Sequence, residues 1–135
     1  MPADAFFDTT VLVYILKKGD RKSTIAEQLL TAGGVVSVQV LNEFANVARR
    51  KLGMTWKEVV EALTGIRDLC SLPAALTAET HTAALKIAQR YGFQIYDSLI
   101  VASALETRCA ILYSEDLQHG QKIESLTIRN PFLAS

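Results

Sequence analysis

The stretch AFFDTTVLVY (Ala5–Tyr14) contains the first structural unit that the sequence predicts. Its apolar start, Ala5-Phe6-Phe7, predicts a short buried strand that ends at Asp8. The residues from Thr9 to Leu16 then predict a helix. Val11 to Leu16 alone would also suit a strand, and residue propensity does not decide between the two. A strand followed directly by a helix is typical of the units that build parallel sheets.

The same alternation of short apolar runs and longer helical patterns continues along the chain. Thr55 and Glu58 form a capping-box pattern at the start of one helix, and Ser23 is the predicted N-cap of another. Pro73 limits its segment to an edge strand, because proline cannot donate to a central ladder. The alternation predicts the α/β class, with helices on both faces of a parallel sheet. The further predicted strands are Val35–Val38, Ser71–Leu76, Ala110–Tyr113 and Leu126–Arg129, and the further helices are Ser23–Ala32, Leu41–Leu52, Thr55–Leu69, Thr77–Gly92 and Tyr96–Thr107.

The composition indicates a well-packed globular chain. It has 135 residues, of which 50% are hydrophobic and 21% are charged, so we expect a single domain over residues 1–135. No apolar run reaches about 18 residues, so we expect no membrane span. The first residues contain no basic segment, and Asp4 and Asp8 interrupt the first apolar stretch, so we expect no export signal. Cys70 and Cys109 are isolated, which fits core thiols in a reducing cytoplasm better than a disulfide framework or a zinc site.

Two aspartates follow predicted buried strands. Asp8 comes directly after the first strand, and Asp116 comes shortly after the strand that ends at Tyr113. Ligands of parallel α/β sheets bind beyond the carboxyl ends of the strands, so the two carboxylates can meet there. Taken one at a time, each is more simply explained as a loop or cap aspartate.

Two further acids border apolar helix faces. Asp97 occupies the first turn of the most hydrophobic helix, with apolar residues three and four positions later on the same stripe. An acid that complements the helix dipole would explain its place along the helix, but less well its face. Glu43 lies between Val40 and Val47, and no Lys or Arg stands three or four residues away to pair with it. A solvated position at the margin of the helix is an equal alternative for Glu43.

Taken together, the four carboxylates predict a metal site. Clustered carboxylates repel one another and are driven to protonate, and a divalent cation removes that penalty. Oxygen ligands alone favour Mg²⁺ or Mn²⁺, whereas the isolated His81 and His119 argue against zinc. The formal net charge of zero leaves a surplus of four positive charges once these acids are set aside, which permits nucleic-acid binding without indicating it.

Four blocks of the chain surround these acids: FFDTTVLVY (Phe6–Tyr14), LNEFANV (Leu41–Val47), YDSLIVASA (Tyr96–Ala104) and YSEDLQHG (Tyr113–Gly120). In this order they resemble the PIN-domain nucleases, and most closely the VapC-type toxins of bacterial toxin–antitoxin modules. The resemblance extends from Phe6 to about Phe132. Each block alone is a weak signal, but four in order at these spacings are specific.

The resemblance implies a three-layer α/β/α fold with a central parallel sheet of about five strands. It also implies an Mg²⁺- or Mn²⁺-dependent endoribonuclease. As a mechanism we expect one or two ions to be held by three aspartates, with Glu43 as a further ligand or as the base for the attacking water. In-line attack would then leave 5′-phosphate and 3′-hydroxyl ends. The family's acidic residues correspond here to Asp8, Glu43, Asp97 and Asp116.

The neighbours of these acids partly follow the family pattern. Ser114 matches a hydroxyl that helps to order the site, and Glu115 falls on a position that is not a ligand. The first block usually contains Asp-Thr-Asn or Asp-Thr-Ser, whereas this chain has Asp8-Thr9-Thr10. Thr10 keeps a hydroxyl and lacks the amide, so the substitution concerns a detail of the site and not the ligand set.

The resemblance also implies an RNA substrate, a cognate VapB-type antitoxin that covers the active site, and a homodimer. Two basic groups could hold RNA phosphates: Arg49, Arg50 and Lys51 after the Glu43 helix, and the cluster between Lys17 and Lys22 after the Asp8 helix. Ordinary solvated helix ends are at least as good an explanation for each group.

Other classes with an aspartate after the first strand fit less well. A haloacid-dehalogenase-like phosphatase needs a second acid two residues later, where this chain has Thr10. A response-regulator receiver domain needs an acidic pair after the first strand and a lysine after the last. A PIN-like protein that only binds would be expected to have lost ligands. A PIN nuclease that acts in RNA processing or on structured nucleic acid remains as the alternative to a toxin.

Overall fold

A computed structural model describes residues 5–133, which share one hydrophobic core. Its sheet has the strand order β1-β2-β4-β3. β1 (Ala5–Phe7), β2 (Ile111–Tyr113) and β4 (Leu126–Arg129) run parallel, while β3 (Lys122–Ile123) pairs antiparallel with β4. The predicted α/β class is therefore confirmed. The expected parallel sheet of about five strands is corrected to a mixed sheet of four strands in the described part of the chain.

The predicted strand Val35–Val38 forms isolated bridges instead of a strand. Val35 pairs with Phe6 of β1, and Ser37 pairs with Ala74 from the predicted edge strand, both in parallel. Each bridge is a single residue pair, so the pairing continues beyond β1 without forming a further strand. The ladder ends because the Ser37 hydroxyl accepts a backbone hydrogen bond as the N-cap of a helix that begins at the next residue.

The helices lie within a few residues of their predicted positions. The predicted capping box is present, since Thr55 and Glu58 each accept a hydrogen bond from the other's backbone N–H. The predicted N-cap Ser23 is wrong, because Asp20 caps that helix and Ser23 is buried inside it. The helices are α1 (Thr9–Leu12), which the 3-10 helix Val13–Leu16 continues, α2 (Arg21–Thr31), α3 (Val38–Arg50), α4 (Trp56–Leu69), α5 (Ala78–Tyr91) and α6 (Ile95–Glu106).

Helix α6 lies at the centre of the core. Its residues from Ser98 to Ala104 are all buried, as expected for a helix that is apolar on every side. It packs against α5, α3 and β2, so its first turn, which carries Asp97, is held close to the Glu43 helix. Within residues 5–133, no helix has the length and apolar character needed to cross a bilayer.

Candidate active site

Asp8 is the most constrained acid of the site. It lies at the end of β1, where its backbone N–H donates to the carbonyl of Tyr113 in β2, 3.0 Å away. Its Oδ1 accepts the Thr9 N–H at 2.7 Å, which caps α1. Its Oδ2 accepts two hydroxyls, from Ser114 at 2.8 Å and Thr10 at 3.0 Å. With a side chain that is 3% exposed, Asp8 is fixed in place through both carboxylate oxygens.

The same two hydroxyls hold the segment that carries Asp116. The Ser114 Oγ accepts the backbone N–H groups of Asp116 and Leu117, each at 3.3 Å. The Thr10 Oγ1 accepts the Glu115 N–H at 3.0 Å. Each hydroxyl thus donates to Asp8 and accepts from the segment after β2. This arrangement gives Thr10 and Ser114 the supporting contacts that the sequence predicts.

Glu43 and Asp97 approach from two helices. Glu43 lies in α3, and its Oε1 accepts the Thr9 hydroxyl at 2.9 Å. Asp97 lies in the first turn of α6, with the Gln94 side chain hydrogen-bonded to it. The sequence analysis did not identify Thr9 or Gln94. In the sequence, Thr9 stands out only by its place next to Asp8. Its hydrogen-bond partner, Glu43, is 34 residues away along the chain, so no local pattern reveals the contact.

All four acids line one cavity of about 310 Å³. The structure therefore brings together every acid that the sequence analysis singled out. The remaining walls combine polar, apolar and basic side chains. They are Thr9, Thr10, Val13, Lys17, Val47, Lys51 and Gln94.

Burial and mutual repulsion favour the protonated form of three of these acids. Burial raises the pKa of Asp8 from its ordinary value of 3.8 to about 6, against the two hydroxyl hydrogen bonds that lower it, and the charges of Glu43 and Asp97 add to the rise. Burial likewise raises the pKa of Glu43, with a contribution from Asp97. It also raises the pKa of Asp97, with a contribution from Asp116. A cation in the cavity would oppose all of these shifts.

The donor set fits a hydrated divalent cation. The four acids supply oxygen atoms only, which is the preference of Mg²⁺ and Mn²⁺. Within residues 5–133, no three Asp, Glu, His or Cys side chains are close enough to enclose an ion among themselves. Mg²⁺ retains several water ligands and is often held by only one or two carboxylates, so this spacing is compatible with it.

The basic residues predicted to hold RNA separate into different environments. Arg49 is engaged within the fold, because its guanidinium donates to the Met54 carbonyl at 2.7 Å and lies 4.7 Å from the Trp56 ring centre. Arg50 is exposed and is not in the cavity wall, whereas Lys51 is part of that wall.

Glu115 points away from the acids. Its carboxylate accepts the Tyr14 hydroxyl at 2.8 Å and forms an ion pair with Lys22. It is not among the residues that line the acidic cavity. These contacts agree with the expectation that Glu115 is a neighbour and not a ligand.

Comparisons with known proteins agree with this architecture. The family model of the PIN domain matches residues 5–122. The structure of Mycobacterium tuberculosis VapC20, described as a sarcin–ricin loop cleaving toxin, aligns over 83% of this chain and 89% of its own, with a TM-score of 0.66 and 22% identity. A toxin–antitoxin complex from Klebsiella pneumoniae aligns over 95% of this chain and 98% of its own, with a TM-score of 0.71 and 19% identity. No curated protein matches the sequence.

Proposed function

This chain belongs to the PIN domain family, and from that premise we propose that it is a metal-dependent endoribonuclease and the toxin of a toxin–antitoxin module. The observation that carries the proposal is the convergence of Asp8, Glu43, Asp97 and Asp116 on one cavity. Three of these carboxylates, Asp8, Glu43 and Asp97, are driven towards protonation by burial and by neighbouring charge, which destabilises a site with no cation in it. They are well suited to binding a cation.

The cation that the site would hold is Mg²⁺ or Mn²⁺. We assign Asp8, Asp97 and Asp116 as the carboxylates that would hold it, either directly or through its water ligands, with Glu43 as a further ligand or as the base. When bound, such an ion makes a water molecule more acidic and offsets the charge that develops on a phosphate. Thr10 and Ser114 orient the Asp8 carboxylate and, through the same hydroxyls, keep Asp116 near it.

We assign Glu43 as the residue that accepts a proton. It lines the cavity with the three aspartates, and the Thr9 hydroxyl holds one of its oxygens in place. In the proposed reaction, water loses a proton to Glu43 and its oxygen bonds to phosphorus, in line with the bond to the 3′ oxygen. That bond breaks and the 3′ oxygen takes up a proton. The products are a 5′-phosphate and a 3′-hydroxyl.

The toxin assignment draws on the two structural neighbours, which are a toxin and a toxin–antitoxin complex. Their sequence identity to this chain is low, so their similarity supports a common fold, and the toxin role is our proposal. We extend to this chain a cognate VapB-type antitoxin and a homodimer, as the sequence blocks imply, and a cytoplasmic location, as the isolated Cys70 and Cys109 suggest. The alternative assignment, an RNA-processing PIN nuclease, uses the same four acids. The distinction between the two therefore needs a cellular measurement.

The test is cleavage of a panel of cellular RNAs by wild type, Asp97→Asn and Asp8→Ala, with Mg²⁺ and with EDTA. Asp68 is an exposed carboxylate on α4, and Asp68→Asn provides a control of equal charge change. We expect metal-dependent cleavage by the wild type and the control, and rates lower by about a hundredfold or more for the site variants. EDTA-resistant cleavage, or full activity of Asp97→Asn, would contradict the proposal. Cleavage without growth arrest on expression would favour the RNA-processing alternative.

A further inference from the structure

The acidic cavity is bounded by two segments that carry the same order of side-chain types. The first runs from α1 through the 3-10 helix, and the second runs along α3. Each presents a polar residue near the acids, then a valine, then a lysine, at intervals of four residues. The members are Thr9, Val13 and Lys17 on the first segment and Glu43, Val47 and Lys51 on the second.

The two segments lie side by side. α1 and the 3-10 helix both pack against α3, and the Thr9 hydroxyl joins them at the acidic end by its hydrogen bond to Glu43. Residues four apart share a helix face, and the eight residues from Glu43 to Lys51 span about 12 Å along α3. The cavity is thus acidic at one end and basic at the other, with Val13 and Val47 between.

The two lysines are available to bind a ligand. Both are exposed. The one ion pair within residues 5–133 joins Lys22 to Glu115, so neither Lys17 nor Lys51 is part of an ion pair. The Nζ of Lys17 lies 5.0 Å from the centre of the Tyr14 ring, so its ammonium group makes a cation–π contact there while the side chain stays exposed. Both belong to the wall of the same cavity of about 310 Å³ that the four acids line.

We propose that Lys17 and Lys51 together bind a phosphate next to the scissile one and so seat single-stranded RNA along this cavity. The inference rests on the proposed nuclease function. Four carboxylates repel a polyanion, so a substrate strand needs compensating cations close to the acids. A phosphate contact fixes where the strand lies without reading its sequence. Val13 and Val47 then offer an apolar surface to the sugar or base between the two ends.

The experiment measures binding of a short labelled single-stranded RNA, with Ca²⁺ replacing Mg²⁺, at several salt concentrations. The variants are Lys17→Ala, Lys51→Ala and their combination. Lys86→Ala is the control, because Lys86 is an exposed lysine on α5 outside this cavity. We expect each cavity variant to weaken binding about fivefold. The double variant should also lower the slope of log affinity against log salt by about 0.7, because the two lysines share one phosphate, and each single variant should lower it by less.

Cleavage kinetics provide the second readout. The double variant should raise KM for RNA much more than it lowers kcat, while leaving the thermal midpoint and its rise with Mg²⁺ unchanged. If the wild type binds and cleaves RNA but the cavity variants behave like Lys86→Ala, this inference is overturned and the nuclease function stands. A wild type that neither binds nor cleaves RNA would overturn both.

Discussion

Replacing Asp8 with asparagine should stabilise the metal-free protein near neutral pH. The Asp8 side chain is 3% exposed, and burial raises its pKa from 3.8 to about 6. A carboxyl whose pKa is higher in the folded state stabilises the fold most when protonated, and that stabilisation is lost as the pH rises through 6. Near pH 7.5 the folded protein must therefore hold an ionised group that the unfolded chain hydrates more favourably.

The size of the effect follows from the pKa shift. A rise from 3.8 to about 6 corresponds to about 3 kcal/mol between the two protonation states. An asparagine removes this penalty but presents an NH₂ group where a carboxylate oxygen accepted the Ser114 and Thr10 hydroxyls. Rearranging one of those hydrogen bonds costs about 1 kcal/mol. The net stabilisation by Asp8→Asn near pH 7.5 should be about 1–2 kcal/mol.

Urea unfolding in EDTA measures this directly. The wild type should gain about 1.4 kcal/mol from Asp8 alone between about pH 7.5 and about pH 5, and the difference between wild type and Asp8→Asn isolates that gain. Asp68→Asn controls for the loss of one surface charge. Addition of Mg²⁺ near pH 7.5 should raise the midpoint of the wild type and of Asp68→Asn, and should raise that of Asp8→Asn much less.

The opposite pattern would refute the reasoning. If Asp8→Asn were less stable than wild type in EDTA near pH 7.5, its hydrogen bonds would outweigh its burial. If the two proteins then showed the same pH dependence, Asp8 would not be the group whose ionisation opposes folding.

Four smaller predictions test the packing and the environment of one thiol. Gly34→Ala should destabilise by about 1–3 kcal/mol in urea unfolding, because a Cβ there would lie 2.3 Å from a ring atom of Phe7. Gly65→Ala, in the open on α4, should stabilise by about 0.5–1 kcal/mol instead. Ser103→Ala should be neutral or stabilising by up to about 1 kcal/mol, since its buried hydroxyl has no hydrogen-bond partner among residues 5–133; a large loss would reveal one. Burial raises the pKa of the Cys70 thiol to about 11, so its alkylation near neutral pH, followed by mass spectrometry, should be about a hundredfold slower than that of a free thiol.

Local chemistry explains which elements the sequence predicted well. The Thr55–Glu58 capping box and the left-handed Gly92 at the end of α5 depend on residues within one turn, and both helices lie where they were expected. The buried strand Leu126–Arg129 has its predicted bounds. Signals of this kind need no knowledge of the rest of the fold.

Contacts between distant segments explain what could not be predicted. Val35 is a β-branched residue of the kind that favours strands. Whether its segment forms a ladder depends on β1 beside it and on Ser37, which caps helix α3 two residues later. Each of the four acids had an ordinary alternative explanation in the sequence. Their meeting in one cavity depends on strand and helix placement that only the folded chain supplies.

The hydroxyl of Thr10 illustrates how structure resolves a detail that the sequence left open. The PIN-domain nucleases usually have asparagine or serine at this position, so Thr10 raises the question of what a missing amide would have done. In this chain the position makes two hydrogen bonds, donating to Asp8 and accepting from the Glu115 N–H. An amide meets these demands with its NH₂ and its carbonyl oxygen, and a hydroxyl meets both with one oxygen. Threonine therefore preserves the link between the first acid and the segment of the last one.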